Sequence, residues 1–167
     1  MDLGEIVRTA VDELRAANPR AEIVVDSEAP VRGMWDPDRL AQVASNLVGN
    51  AIVHGGGRVE VRVKRTGGDA VLEVRNDGPP IPADTLPRIF EAFQRSTGAD
   101  GLRYANGLGL GLFIADRIVA AHRGRIAVRS NDQEGTTFLV TIPAYAAEGT
   151  SSRASDPEVA SPRVAIG

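Results

Sequence analysis

The most constraining feature of this 167-residue chain is a change of hydrophobic period at Gly55-Gly56-Gly57. Before these glycines, residues 36–54 carry apolar side chains three and four positions apart, which predicts a helix with one buried face. After them, residues 58–66 and 70–76 alternate apolar and polar side chains on either side of Gly67-Gly68-Asp69, which predicts a β-hairpin. A helix followed directly by a hairpin indicates a helix layer packed against a sheet.

The remaining elements extend these two layers. Helical spacing predicts further helices over residues 2–17 and from Gly111 to about His122, with a short helix at about 85–93. Alternating patterns predict further strands, which cover residues 22–26, 31–35, 125–130 and 136–143. The predicted fold class is therefore α+β, with a mixed, mostly antiparallel sheet of about five strands covered on one face by three helices.

Two segments lack a regular apolar pattern. Residues 94–106 are polar with scattered glycines, which predicts a mobile loop. Residues 146–167 are rich in Ala, Ser, Glu and Pro, which predicts a disordered tail. The folded domain is therefore expected to span residues 1–145.

Composition narrows the possible functions. A hydrophobic fraction of 43% is typical of a globular protein, and a net charge of −3 without a basic block disfavours nucleic acid as the main partner. No apolar run reaches the roughly 20 residues that cross a bilayer, and no signal peptide is evident. We expect a cytoplasmic location, which the soluble part of a membrane receptor would share. The absence of cysteine excludes thiolate metal sites, and Lys64, the only lysine, lies outside any P-loop triplet.

The helix predicted over residues 36–54 carries a polar row. Gln42, Asn46, Asn50 and His54 are four positions apart, so they follow one line along the helix beside its apolar face. Amides in that position need partners. Either the neighbouring backbone satisfies them, or an Asn oxygen is a neutral ligand for Mg²⁺, a cation that prefers oxygen.

The segment Asn76-Asp77-Gly78-Pro79-Pro80-Ile81-Pro82 follows a predicted strand directly. Such a string is either a tight turn or a recognition site for a flat ring. In the second interpretation a short amide or carboxylate accepts a hydrogen bond from an exocyclic amine, and the glycine lets the ring lie against the backbone.

The segment Gly107-Leu108-Gly109-Leu110-Gly111-Leu112 opens an apolar helix. Backbone N–H groups at a helix N-terminus bind phosphate, and glycines remove the side chains that would block its approach. The pattern is not the dinucleotide fingerprint, which requires GxGxxG immediately after a strand. A flexible hinge is the alternative interpretation.

In this order, the motifs resemble those of the ATP-binding domain of sensor histidine kinases, within the GHKL superfamily that includes gyrase, heat-shock chaperone and mismatch-repair ATPases. The resemblance covers roughly residues 2–144 and implies the Bergerat fold, a two-layer α/β sandwich. Its motifs are the N box at 40–51, the first glycine box at 76–82, the F box at 89–95, the second glycine box at 107–111 and the closing glycine-threonine motif at 135–138.

The resemblance implies a role for each matching residue. Asn50 would coordinate Mg²⁺, Asn46 would lie beside the phosphates as the catalytic amide, Asn76 would face the adenine amine, and residues 94–106 would form a lid. His54 either lines the nucleotide site or caps its helix. The other residues assigned to ATP are Gly78, Pro80, Ile81, Phe93, Arg95, Gly107, Leu108, Gly109, Leu110, Gly111, Leu112 and Thr137.

Three positions depart from the family pattern. Asn76 stands where the first glycine box usually begins with Asp, so its oxygen accepts a hydrogen bond without charge. Pro80 replaces the second glycine of that box and stiffens the turn. Val53 stands where many members have Lys, so one cation facing the phosphates is missing.

The implied function is donation of the γ-phosphoryl group of Mg-ATP to a histidine in a two-component signalling pathway. Hydrolytic relatives have Glu at the position of Asn46, and a neutral amide cannot take a proton from water. Neither His54 nor His122 lies in an apparent phosphoacceptor hairpin, and His122 is predicted to be structural. We therefore expect a monomeric histidine kinase domain, inactive alone, whose partners are a separate phosphoacceptor and dimerisation domain and a downstream response regulator.

Alternatives to this function remain open. The departures at Asn76, Pro80 and Val53 are compatible with a nucleotide-binding pseudokinase that acts as a scaffold without catalysis. An anti-sigma-type serine kinase shares the fold but keeps Glu where this chain has Asn46. A purely structural interaction domain is the third alternative.

Overall fold

The structure is a computed structural model that describes residues 1–27, 29–92 and 109–144, together with the backbone of residues 165–166. Its helices are α1 (Leu3–Ala17), α2 (Pro37–His54) and α3 (Gly111–Ala121), and a 3-10 turn covers Leu86–Arg88. Its strands are β1 (Glu22–Ser27), β2 (Arg58–Thr66), β3 (Asp69–Asn76), β4 (Arg125–Asn131), β5 (Gly135–Pro143) and the two-residue β6 (Ala165–Ile166).

The strands form one sheet in the order β1-β2-β3-β5-β4-β6. β1 runs parallel to β2, and the pairs β2–β3, β3–β5 and β5–β4 are antiparallel. The short β6 adds a parallel pair at the outer edge of β4. The three helices cover one face, so the predicted α+β sandwich with a mixed sheet of about five main strands is confirmed.

The core lies between the helices and one face of the sheet. Because side chains alternate along a strand, every second residue of β2, β3 and β5 faces the helices. These residues include Val61, Val74 and Phe138, each at most 1% exposed. Against them packs the apolar face of α2, with Val43 and Leu47 at its centre. The polar row of α2 is thereby held beside the core at a fixed angle.

The start of α2 is set by capping chemistry. The Asp36 carboxylate accepts hydrogen bonds from the backbone N–H groups of Asp38 and Arg39, each at 3.1 Å. Pro37 occupies the first turn, where its missing N–H costs no helical hydrogen bond. These two residues set the position at which the helix begins.

The predicted strand over residues 31–35 is wrong. This segment contributes only an isolated bridge between Asp2 and Arg32. The Trp35 ring folds back onto Gly33, where an ideal Cβ would lie 2.2 Å from the ring, and its Nε1 donates to the carbonyl of Pro143. The side-chain packing of Trp35 therefore replaces regular alternation.

The predicted helix at about 85–93 is much shorter than expected. Only Leu86–Arg88 is helical, and it is a 3-10 turn. The N–H groups of Thr85, Arg88 and Glu91 bond to carbonyls three residues back rather than four. Pro87 lies in the first turn, where its missing N–H costs no helical hydrogen bond, so it is compatible with this turn and does not explain its early end.

Several predictions fall outside the described residues. These are the loop over 94–106 and residues 146–164 and 167 of the predicted tail. No helix in the described ranges has both the length and the hydropathy of a membrane span.

Candidate functional site

The polar row of α2 is the axis of the candidate site. Asn46, Asn50 and His54 follow one another at intervals of about one helical turn, or 5.4 Å of rise. All three are partly exposed, while Leu47 and Ala51 on the adjacent face are buried. The row therefore lies along an accessible edge of the helix layer.

The start of α3 lies beside Asn46. An ideal Cβ built on Gly111 would be 3.5 Å from Oδ1 of Asn46, so the two helices approach closely at this point. Gly109 has a φ of +68°, a conformation that glycine adopts without strain. Leu110 provides no side-chain cap. The first-turn N–H groups of α3 consequently point out of the helix next to the Asn46 amide, as in an anion-binding helix start.

The end of β3 meets the end of α2. Asn76 is 3% exposed, and an ideal Cβ on Gly55 would lie 3.0 Å from the Asn76 Cβ. A Cβ on Gly78 would lie only 2.1 Å from the carbonyl oxygen of His54. Both positions need glycine for the backbones to approach this closely. Asn76 is thereby placed at the His54 end of the polar row.

The segment after Asn76 is held by β4 and β5. The Ile81 N–H donates to Oγ of Ser130 at 2.8 Å, and that oxygen shares a hydrogen bond with Oγ1 of Thr136 at 2.7 Å. Thr136 is buried and lies opposite Asn76 in the sheet register. Ser130 and Thr136 were not predicted as site residues. Counting the alternation back from Phe138 would have placed Thr136 on the helix-facing side.

Thr137 occupies the opposite side of the sheet. It pairs with Arg75 on β3 and with Arg129 on β4, and its alternation with the buried Thr136 turns it toward the open face. The structure therefore does not bring its side chain together with the other predicted site residues.

Three predicted amides have no hydrogen-bond partner among the described residues. Within the part of the chain that the structure describes, the side chains of Asn46, Asn50 and Asn76 form no hydrogen bond, and Nδ2 of Asn46 is fully buried. Gln42, in the same row, differs because its Oε1 accepts from Arg39 at 3.2 Å. An unsatisfied buried polar group costs about 1–3 kcal/mol. Neighbouring backbone therefore does not satisfy these amides, and a polar ligand would complete them.

The protein donors at this site fit a magnesium ion that is held mainly by phosphate oxygens and water. The described residues contain no group of three or more His, Cys, Asp or Glu side chains that could hold a metal. Mg²⁺ commonly uses one or two protein oxygens together with phosphate oxygens and water. The free amide oxygen of Asn50 suits that mode of binding.

The two histidines differ in environment. Burial lowers the pKa of His54 below its ordinary value of 6.5, so its imidazole is neutral at physiological pH. His122 accepts a hydrogen bond from the Asp36 N–H at Nε2, and its Nδ1 donates to the carbonyl of Ile118 at 2.8 Å. His122 thus joins the end of α3 to the start of α2, which agrees with its predicted structural role.

An open hollow of about 450 Å³ lies at the start of α2, and it contains no predicted nucleotide-binding residue. Its lining residues are Met1, Gly33, Met34, Trp35, Asp36 and His122. The candidate site instead lies along the second half of α2. Of the predicted site residues, Phe93, Arg95, Gly107 and Leu108 lie outside the described part of the chain.

Comparisons with known proteins identify the family of this chain. A profile for the histidine kinase-, DNA gyrase B- and HSP90-like ATPase family matches residues 35–146. The bacteriophytochrome of Pseudomonas aeruginosa is 40% identical over 153 residues, covering 90% of this chain and 21% of that protein. The signal transduction histidine-protein kinase AfsQ2 of Streptomyces coelicolor is 37% identical over 119 residues, covering 71% of this chain and 22% of that protein. This chain thus spans about a fifth of these relatives.

Solved structures share the overall fold. The mycobacterial sensor histidine kinase MprB superposes with a TM-score of 0.72 at 27% identity, covering 86% of this chain and 95% of that chain. Full-length ShkA in complex with AMPPNP superposes with a TM-score of 0.73 at 30% identity, covering 89% of this chain and 31% of that chain.

The environment of His54 predicts a pH-dependent stability. Its lowered pKa means that the unfolded chain takes up this proton before the folded chain does. Its stabilising contribution is present above about pH 6.5 and is lost as the pH falls toward the folded pKa. Urea unfolding at about pH 7.5 and about pH 5.5 should therefore show a larger loss of unfolding free energy in the wild type than in His54→Gln. An equal loss in both proteins would contradict the assignment.

The contact between Gly135 and Asn76 predicts a position-specific glycine effect. Gly135 has a φ of +72°, and an ideal Cβ there would lie 2.1 Å from the Asn76 carbonyl oxygen. Gly67 has a similar φ of +61° but open space around its Cβ position. Gly67→Ala should cost about 1–2 kcal/mol of stability from backbone strain alone, and Gly135→Ala should cost clearly more. Equal costs in chemical denaturation would show that the close approach is unimportant.

Proposed function

Since this chain belongs to the family of histidine kinase-, DNA gyrase B- and HSP90-like ATPases, we propose that it binds Mg-ATP beside α2 and donates the γ-phosphoryl group to a histidine. That histidine belongs to a helical phosphoacceptor and dimerisation domain outside this chain. The observation that carries the proposal is the line of amides at Asn46, Asn50 and Asn76, which have no partner among the described residues and end at the uncapped start of α3.

The proposal assigns one end of this line to the nucleobase. Asn76 and Gly78 lie beside the end of α2, where glycine leaves the backbone open to a flat ring. The Asn76 oxygen accepts a hydrogen bond from the exocyclic amine of adenine. Ile81, partly buried and held by Ser130, supplies an apolar surface for the ring.

The other end of the line is assigned to the triphosphate. The N–H groups of the first turn of α3 donate to phosphate oxygens, and the glycines at 109 and 111 allow close approach. Asn50 would hold Mg²⁺ through its amide oxygen. When bound, the ion neutralises charge on the β- and γ-phosphate oxygens.

The neutral side chain of Asn46 favours transfer over hydrolysis. Asn46 lies beside the start of α3, and its amide has no basic site that can take a proton from water. With the amide turned so that Nδ2 takes the place of Oδ1 beside Gly111, it can donate to a phosphate oxygen and so help to orient the γ-phosphoryl group. A lone pair of the acceptor imidazole then forms the N–P bond, the bond from Pγ to the bridging oxygen breaks, and ADP leaves with that electron pair.

The wider role follows from the same proposal. The phosphohistidine would pass its phosphoryl group to a response regulator in a cytoplasmic two-component system, and the domain alone would be a monomer. A nucleotide-binding pseudokinase is the second candidate, because Val53, at the position where many relatives have Lys, is 56% exposed and carries no charge.

Substitution of Asn50 tests the binding site. Asn50→Ala should weaken Mg-ATP binding by about tenfold or more, because about 1.4 kcal/mol or more of metal coordination is lost. Calorimetric titration with and without Mg²⁺ measures this effect. Gln42→Ala, in the same helical row but already bonded to Arg39, is the matched control and should bind normally. Unchanged Mg-ATP affinity in folded Asn50→Ala would overturn the metal assignment.

A transfer assay tests the reaction. The chain is incubated with labelled ATP and a helical domain that carries a histidine acceptor. The label should become bound to that domain, should be lost in acid because the P–N bond of phosphohistidine is acid-labile, and should remain in alkali. Acid-stable label would indicate a serine kinase. Saturable ATP binding without any transfer would support the pseudokinase.

A further inference from the structure

We propose that this nucleotide site accepts guanine as well as adenine, because the group facing the base is the neutral amide of Asn76 and not a carboxylate. The inference rests on the proposed function, which places a purine at Asn76. It adds that the substrate class is purine nucleoside triphosphates in general.

The position of Asn76 is fixed by its surroundings. It ends β3, is 3% exposed, and pairs with Thr136 across the sheet. Gly55 and Gly135 approach it so closely that an ideal Cβ on either would lie about 3 Å or less from an Asn76 atom. The backbone of Asn76 therefore cannot shift easily to suit a particular base.

The amide of Asn76, by contrast, has no fixed partner. Among the described residues its side chain forms no hydrogen bond. Its Nδ2 lies 2.9 Å from the ideal Cβ position of Gly78, beside the open backbone of the turn. Since no bond fixes which end of the amide faces that turn, rotation about the last side-chain torsion exchanges the oxygen and the nitrogen at little cost.

The carboxylate of the next residue in the chain is turned away from this position. Asp77 follows Asn76 directly, but its Oδ1 accepts a hydrogen bond from the Arg75 guanidinium at 3.0 Å. Arg75 lies on the open face of the sheet, where it also bonds the carbonyl of Glu134 and pairs with Glu60. The charge of Asp77 is thus directed to the face opposite the helices and does not select the base.

The two purines differ in the group that meets this side chain. Adenine presents an exocyclic amine, which donates, and guanine presents a carbonyl oxygen at the corresponding ring position, which accepts. At that ring position a carboxylate can only accept, so it would bond the adenine amine and repel the guanine carbonyl oxygen. An amide can accept from adenine through its oxygen or donate to guanine through its nitrogen. An amide at this position therefore does not discriminate between adenine and guanine by hydrogen bonding.

The test compares nucleotide affinities of the full chain by calorimetry in the presence of Mg²⁺. The wild type should bind ATP and GTP with dissociation constants within about tenfold of each other, and UTP much more weakly. Asn76→Asp should keep its affinity for ATP, whereas its affinity for GTP should fall by about a hundredfold. The reason is that one hydrogen bond to guanine is lost and one repulsive contact is added. Asn131→Asp adds the same charge in an exposed turn and should leave the ratio unchanged.

Each outcome has a distinct meaning. A wild-type preference for ATP of about a hundredfold or more would overturn this inference alone. Equal binding of UTP would overturn it too, because the phosphates would then supply all the affinity. If Asn76→Asp does not fold by circular dichroism, Asn76→Ala replaces it and should weaken ATP and GTP to a similar extent. Failure of the folded wild type to bind any nucleotide would overturn the proposed function itself.

Discussion

The close approach of α2 to the turn after β3 is the interaction on which the candidate site depends. Backbones meet here at distances that no Cβ would allow, because Gly78 lies against the carbonyl of His54 and Gly135 against that of Asn76. Apolar packing of Leu47 in the core between α2 and the sheet holds the helix in this position. One rigid contact thereby places Asn76 at one end of the amide row and leaves the row itself accessible along the edge of the helix layer.

The same packing explains why polar groups remain unsatisfied. A buried amide normally finds a partner, yet Nδ2 of Asn46 has none among the described residues, and it is Oδ1 that lies toward Gly111 at the start of α3. The helix start likewise lacks a side-chain cap. Two unsatisfied features at one place cost stability, and a phosphate-bearing ligand that bonds both would offset that cost. The site is thus organised before a ligand arrives.

Much of the fold was predictable because local patterns agreed with the final packing. The period change at Gly55 located α2 and the following hairpin, and the Asp36-Pro37 pair marked the start of α2 by its capping chemistry. The errors occurred where a long-range contact overrode the local pattern. Trp35 is held by Pro143, which is distant in sequence, so residues 31–35 form no strand. The helix predicted at about 85–93 was also too long, since among the described residues it is a 3-10 turn at Leu86–Arg88.

The sequence by itself determined which chemical groups are present and how those on one element are spaced, since the four-residue intervals from Asn46 to His54 place them on one helical line whatever surrounds the helix. Only the tertiary structure decided which groups from different elements meet. It brought Asn76 to the end of that line, joined Ser130 and Thr136 to Ile81, and turned Thr137 and Asp77 toward the open face. The physical reason is that contacts across the sheet depend on strand order and register, which local periodicity does not specify.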